Sequence, residues 1–334
     1  MRTIPADYTF SEKDNIALTN VLLEVSENPY ANYTAFSKTV RNIADDASHI
    51  PASFLDICEA KRRANRYVDP FVILKNCPVD PDLPFLDFDS PVEDKRKRKK
   101  TYVAEAFLEL YARLMRQEPI SYINVNDGDI FQDIHPMRKL MDSQSQKSAK
   151  TIYFHKDLAN HFVRPDWVNI LGLRASASNK IYTSFVSNKD LIEYLDRETL
   201  NILREVEFYT PFDDLTKASS NKKLGRPANH PVLGGEEDYD IRFFENRTIG
   251  LTSRAKAALT DVVHALHTLK RSLLILKGDF IGSSNNECIH NKEVVHVDDQ
   301  NAVYTRWLMK TVNVKSIDMH KMHMREGEVR IING

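Results

Sequence analysis

Cysteine is scarce in this chain. Its 334 residues hold three, Cys58, Cys77 and Cys288, an odd number at unrelated spacings. That excludes a disulfide framework and a cysteine-based zinc knuckle, and points to a reducing cytosol. No run approaches the roughly 20 consecutive apolar residues needed to cross a bilayer. The opening MRTIPADYTFSEKDN has no apolar stretch after its single arginine, so neither a secretory leader nor a membrane anchor is expected. Charge of one sign is missing as well, with 46 Lys plus Arg against 47 Asp plus Glu. With no net field to draw it to nucleic acid or an anionic membrane, the protein is expected to take a small-molecule partner. Repeats, heptads and low-complexity tracts are absent, and the oligomeric state stays open.

What is present suffices for a substantial core. From Asp14 to about Arg66 apolar residues recur at helical spacing (Leu18, Val21, Leu22, then Phe36, Val40, Ile43, later Phe54, Leu55, Cys58), broken at Pro29 and Pro51. PFVILKNCPVD at 70–80 reads as a buried strand. Residues 81–100, with three prolines and the basic run Lys95 to Lys100, read as an exposed loop. A packing helix follows from Tyr102 to about Arg116. ISYINV, TIYFH, DWVNILGL and KIYTSFV then form the densest strand region. A charged helix at about 190–205 precedes a polar stretch, KASSNKKLGRPANHPVLGGEEDYD, expected to be a surface loop or lid. Thr252 to Leu269 is amphipathic, with Thr252 or Ser253 placed to cap it. SLLILKGDFIG and YTRWLMKTVNV have strand composition and flank a polar loop containing His290 and His296. The tail histidines His320 and His323 read as surface residues.

The chemistry concentrates in FHKD, residues 154–157, at the end of the strand TIYFH. Residues two apart on an extended chain point to one side, so His155 and Asp157 can offer an imidazole nitrogen and a carboxylate oxygen to one ion. A second histidine completes a facial triad, which leaves coordination positions open and suits iron(II) that binds a co-substrate and dioxygen together. That histidine should come from a distant strand near the C-terminus, followed by a basic residue to anchor an oxoacid. GDFIGSSNNECIHNKEVVH and YTRWLMKTV supply both.

These segments, with FVILKNCPVDPDLP, EPISYINVNDGDIFQDIHP and SQSQKSAKTIYFHKDLANHFVRPDWVNILGLR, resemble the clavaminate synthase-like branch of the iron(II) and 2-oxoglutarate dependent oxygenases, which includes free-amino-acid hydroxylases. The resemblance runs through most of the chain. It implies a double-stranded β-helix, a distorted jelly roll of mainly β structure with flanking helices. The whole chain, 1–334, would be a single domain: a helical N-terminal region at 1–66 and a jelly-roll core at 67–334 with a lid insertion near 206–240.

The family's distal histidine follows a Gly-Asp pair by ten residues, which selects His290 over His296, with Asn285 between. The metal ligands implied are His155, Asp157 and His290. The family's 2-oxoglutarate arginine precedes Trp-Leu and matches Arg306, whose guanidinium can grip a carboxylate through two parallel hydrogen bonds. An assisting threonine matches Thr183. For the substrate the resemblance offers Ser145, with Ser143 and Ser148 nearby, and Asp240 and Glu245 in DIRFFEN as readers of a basic side chain. Lys310, four residues past Arg306 on the same strand face, is a candidate for a substrate carboxylate.

The chain departs from the family in HKD for HTE and in His290-Asn291-Lys292 for HGR. The retained carboxylate argues against halogenation. The implied activity is hydroxylation of an unactivated carbon of a free amino acid or derivative, with a basic one among the candidates, coupled to dioxygen consumption and conversion of 2-oxoglutarate to succinate. Desaturation or cyclisation, a peptide or protein hydroxylase, and a non-catalytic metal-binding module are the alternatives.

Overall fold

The computed structural model describes residues 2–211 and 227–333. Part of the lid expected near 206–240, residues 212–226, therefore lies outside the described residues. The short strands β1 (Arg2–Thr3) and β2 (Tyr8–Thr9) lead into α1 (Glu12–Leu23), α2 (Tyr33–Asp46) and α3 (Ala52–Arg63). Ser11 and Asn32 cap the first two through backbone N–H groups three residues on, and Pro51 opens the third. The N-terminal region is helical, as its spacing predicts.

After β3 (Phe71–Lys75) come α4 (Pro91–Arg98), α5 (Val103–Leu114), β4 (Glu118–Tyr122), β5 (Gln132–Ile134), β6 (Ile152–His155), β7 (Trp167–Arg174) and β8 (Lys180–Ser187). Then follow α6 (Asn188–Tyr194), α7 (Arg197–Leu203), β9 (Phe208–Tyr209), β10 (Ile249–Gly250), α8 (Ser253–Leu269), β11 (Arg271–Leu273) and β12 (Phe280–Ser284). β13 (Cys288–His296), α9 (Gln300–Tyr304), β14 (Trp307–Val314) and β15 (Ile331–Ile332) complete the chain. Among the described residues no helix is long and apolar enough to cross a membrane.

The strands form two mixed open sheets and one small pair. One sheet has the order β1-β11-β8-β13-β6, the larger β15-β4-β14-β7-β12-β3-β2 with β5 also on β14, and β9 pairs with β10. The two larger sheets face each other, with the rings of Phe71 and Phe185 5.4 Å apart between them. Alternation along each strand sorts the layers. In β7, Ile170 belongs to the core between the sheets, while Leu171 packs with Phe107 and Phe280 under the N-terminal helices and α5. In β8 and β13, Phe185 and Cys288 face inward, while Val186 and Ile289 pack under α8 with Val262 and Leu266.

Two sequence expectations need correction. The segment 81–100 is not simply an exposed loop, because α4 forms there and its basic run is partly interior. Lys95 is fully buried, 2.7 Å from Asp133 and 3.5 Å from Asp129, with its ammonium over the Tyr30 ring. Lys99 reaches Asp80 and Glu105 at 2.9 and 2.7 Å. These carboxylates offset the desolvation of the ammonium groups, and no local pattern announces them. The second correction is that His290 and His296 lie on β13, not in a loop. β13 is hydrogen-bonded to β6 on one side and β8 on the other.

Candidate metal centre

β6 and β13 set the site. His155 and His290 are direct cross-strand partners, and both project from the face that carries Phe185 and Cys288. His155 Nδ1 lies 2.7 Å from the Tyr153 carbonyl. Donating its proton there turns the free lone pair of Nε2 toward the site. Phe244 stacks on the same imidazole, ring centres 5.0 Å apart, and fixes its plane.

Asp157 stands just past the strand, in a turn completed by Leu158 at φ 52°. Buried Asn285 holds it by both main-chain groups: its Oδ1 accepts from Asp157 N and its Nδ2 donates to Asp157 O, each at 3.1 Å, with a further bond to Pro165 O. Asp157 Oδ1 lies 3.5 Å from His155 Nε2 and 3.7 Å from His290 Nε2. One ligand atom from each of the three residues lies within 4.8 Å of the other two. Atoms each bound at about 2.1 Å to one ion can stand up to roughly 4.2 Å apart, so the two carboxylate-to-imidazole gaps fit a shared divalent cation.

The protonation states also fit a metal. Burial, then repulsion from His155, pushes the His290 imidazole down to about 3, leaving it neutral with a free lone pair. Burial alone would raise the Asp157 carboxyl, but Lys310, a hydrogen bond to His155 and the two imidazoles hold it well below the usual range.

The triad opens on a cavity of about 700 Å³ lined also by Thr183, Ser145, Lys292, Arg306 and Lys310, within the 300–1,000 Å³ usual for small-molecule sites. Arg306 sits just before β14 and is 7% exposed. Its guanidinium forms no hydrogen bond or ion pair with any described residue, and burial lowers its pKa to about 10. A buried cation without a counter-ion is costly unless a ligand supplies one.

Thr183 lies directly across β8 and β13 from Lys292. Composition places His290 and His296 in a polar loop, where Lys292 has no predictable direction. As a strand, period two puts Lys292 on the same face as His290. Its ammonium donates to Ser148 O at 2.6 Å, and burial, then Arg306, push it down to about 7. Gln132 was also missed: it is buried in the same cavity and its Nε2 has no hydrogen-bond partner among the described residues.

Not every expected residue reaches the cavity. Ser145 does, in a turn where its Oγ accepts from Lys147 N. Lys310 does too, standing 3.3 Å from Asp157 Oδ2. Asp240 does not line it. Asp240 is buried, 2.9 Å from Arg164 and 3.8 Å from Lys156. Glu245 is likewise outside, buried against β6, where it accepts from Phe154 N and lies 2.8 Å from His267 Nε2. Neither stands free to read a basic side chain, since each has a cationic or polar partner in the interior. The tail histidines sit on a surface 3-10 turn, Ile317–His323.

No protein-family model matches the chain. Among curated proteins it is similar to clavaminate synthase 2 of Streptomyces clavuligerus, 26% identical over 224 residues covering 64% of this chain and 66% of that protein. It is also similar to L-asparagine oxygenase of Streptomyces coelicolor, 23% identical over 194 residues, 58% of this chain and 57% of that protein. Each match therefore spans less than two thirds of the relative. Among solved structures, asparagine oxygenase in complex with Fe(II), 2S,3S-3-hydroxyasparagine and succinate superposes with a TM-score of 0.80 at 20% identity, over 99% of this chain and 100% of that one. The non-heme iron oxygenase OrfP in complex with Fe, succinate and (3S)-hydroxy-L-Arg gives 0.77 at 18% identity, over 98% and 100%. The chain is thus similar in sequence to two curated oxygenases over part of their length and shares its fold with solved non-heme iron oxygenases over nearly its whole length.

Proposed function

We propose that this protein is an iron(II) and 2-oxoglutarate dependent dioxygenase that hydroxylates an unactivated carbon of a free amino acid or close derivative. His155 Nε2, Asp157 Oδ1 and His290 Nε2 would hold the metal. Arg306, with Thr183 and Lys292 beside it, would hold the far carboxylate of the oxoacid. When bound, iron supplies the oxidative chemistry that couples oxoacid decarboxylation and dioxygen to C–H hydroxylation. The chain's own residues bind, orient and exclude water. The fold would be a double-stranded β-helix in one domain, working in a reducing cytosol, where three free buried cysteines are stable.

One observation carries the reading: a buried guanidinium without a counter-ion among the described residues shares a cavity with a His-Asp-His cluster. A module that only stored a metal has no use for that guanidinium, and a cavity of this volume favours an amino acid over a folded protein substrate. The test is anaerobic addition of iron(II) and 2-oxoglutarate to the purified chain. A visible charge-transfer band is expected, abolished in His155→Ala, with succinate released on adding substrate and air. Zinc-only binding and no succinate from any amino acid would favour the storage module.

A further inference from the structure

We propose that the substrate carries a carboxylate on its side chain, as an aspartate- or glutamate-like amino acid does, and that Lys147 receives it. The inference rests on the oxygenase reading above and narrows its substrate class. Charge around the cavity is unevenly placed. Asp89, Glu93 and Asp127 line its outer mouth. Asp89 and Asp127 are largely exposed and paired with Arg138 and Arg96, and Glu93 is exposed. Asp157 is the one other acid among the described lining residues, against Lys147, Lys156, Arg247, Lys292, Arg306 and Lys310, with Lys139 exposed at the rim.

Most of these cations can be matched to a partner in turn. Lys310 has Asp157, and Lys156 has Asp240. The far carboxylate of the oxoacid would lie between Arg306 and Lys292. The remaining charge of the oxoacid and that of a divalent metal offset one another to within one unit. An amino acid's own ammonium and carboxylate add no net charge. Lys147 is then left over: its ammonium makes no hydrogen bond or ion pair with any described residue, and burial pushes its pKa down. Gln132 Nε2, buried in the same cavity and without an acceptor among the described residues, offers a second donor suited to a carboxylate oxygen.

A basic side chain fares worse. It would enter beside like charges, which repel strongly where water is excluded. The two acids that sequence offered to read it are taken, Asp240 by Arg164 and Glu245 by His267.

The experiment uses the full chain loaded with iron(II) and 2-oxoglutarate under argon. The band is followed while L-aspartate, L-glutamate, L-asparagine, L-glutamine, L-lysine or L-arginine is added, with calorimetry in parallel. At least one acidic amino acid should bind about tenfold or more tightly than its amide, as a lost charge-assisted hydrogen bond implies. Lys147→Met should reduce that preference to within about twofold, and Lys147→Glu should shift it toward lysine and arginine. Both variants must still form the band, which shows that they fold. Tighter binding of arginine or lysine to the unmodified protein overturns the inference, as does an acid preference untouched by Lys147→Met or a panel in which nothing binds. Those outcomes leave the oxygenase reading standing. Failure of the band itself removes that reading, and this inference with it.

Discussion

Lys310 Nζ lies 3.3 Å from Asp157 Oδ2, while Asp157 Oδ1 faces His155 and His290. The lysine occupies the outer oxygen of the carboxylate and so presents the inner one, as a single donor, to the place between the imidazoles. In the metal-free protein it also supplies the counter-charge for a buried carboxylate.

Replacing Lys310 by Met should therefore destabilise the metal-free protein by roughly 2–3 kcal/mol, somewhat below the cost of breaking a fully buried pair because both side chains keep some water. Added divalent metal should restore most of the loss by standing in for the missing charge. Urea denaturation with and without metal measures both. Equal stability of the variant and the parent without metal would show that the pair contributes nothing.

At the other end of the cavity, Arg306 and Lys292 are expected to share one carboxylate. Arg306→Ala should weaken 2-oxoglutarate binding by roughly a hundredfold and Lys292→Met by about tenfold, the losses expected for two charged hydrogen bonds and one. Titration of the charge-transfer band reads both. A Lys292 variant that binds the oxoacid as tightly as the parent would leave the lysine a purely structural role on Ser148.

Three histidines, His135, His230 and His290, make the metal-free fold sensitive to acid. Burial pushes His230 down to about 4 and His290 to about 3, below the value of about 6.5 for an unfolded histidine. Because the folded value is the lower one, the unfolded chain binds more protons once the pH drops below about 6.5, and stability falls as the pH falls. Urea midpoints measured from about pH 7.5 down to 5 should decline, and His230→Asn should flatten part of the slope. A slope identical in that variant would mean that His230 takes no part.

The buried ammonium of α4 offers a test of the basic run. Lys95→Met leaves Asp133 and Asp129 without their shared cation and should cost about 3–5 kcal/mol. Lys97→Met, on the exposed side of the same helix, should change stability by no more than about 0.5 kcal/mol. Similar urea midpoints for the two variants would contradict the interior placement of Lys95.

Much of this was readable along the chain because it rests on local periodicity. The two-residue spacing of His155 and Asp157 sets them on one side of a strand and its continuation, and the apolar spacing at 252–269 gives α8, capped by Thr252 through Ala255 N. One misread element hid one residue: taking 288–296 as a loop removed the alternation that puts Lys292 beside His290. Polar composition misled there because β13 runs between two strands of its sheet, where its main-chain groups are paired and its inward polar side chains face a cavity instead of a packed core.

By itself the sequence determined the strand that leads into the candidate metal-binding pair, the candidate distal histidine, the arginine before Trp307 and the helical N-terminal region. Tertiary structure alone decided which charges meet. Lys95 finds Asp133, Asp240 finds Arg164, Glu245 finds His267, and Lys147 lines the cavity without a partner among the described residues. Such pairings depend on distance and on how far water has been removed from both groups, and neither quantity exists until segments far apart in the chain have packed together.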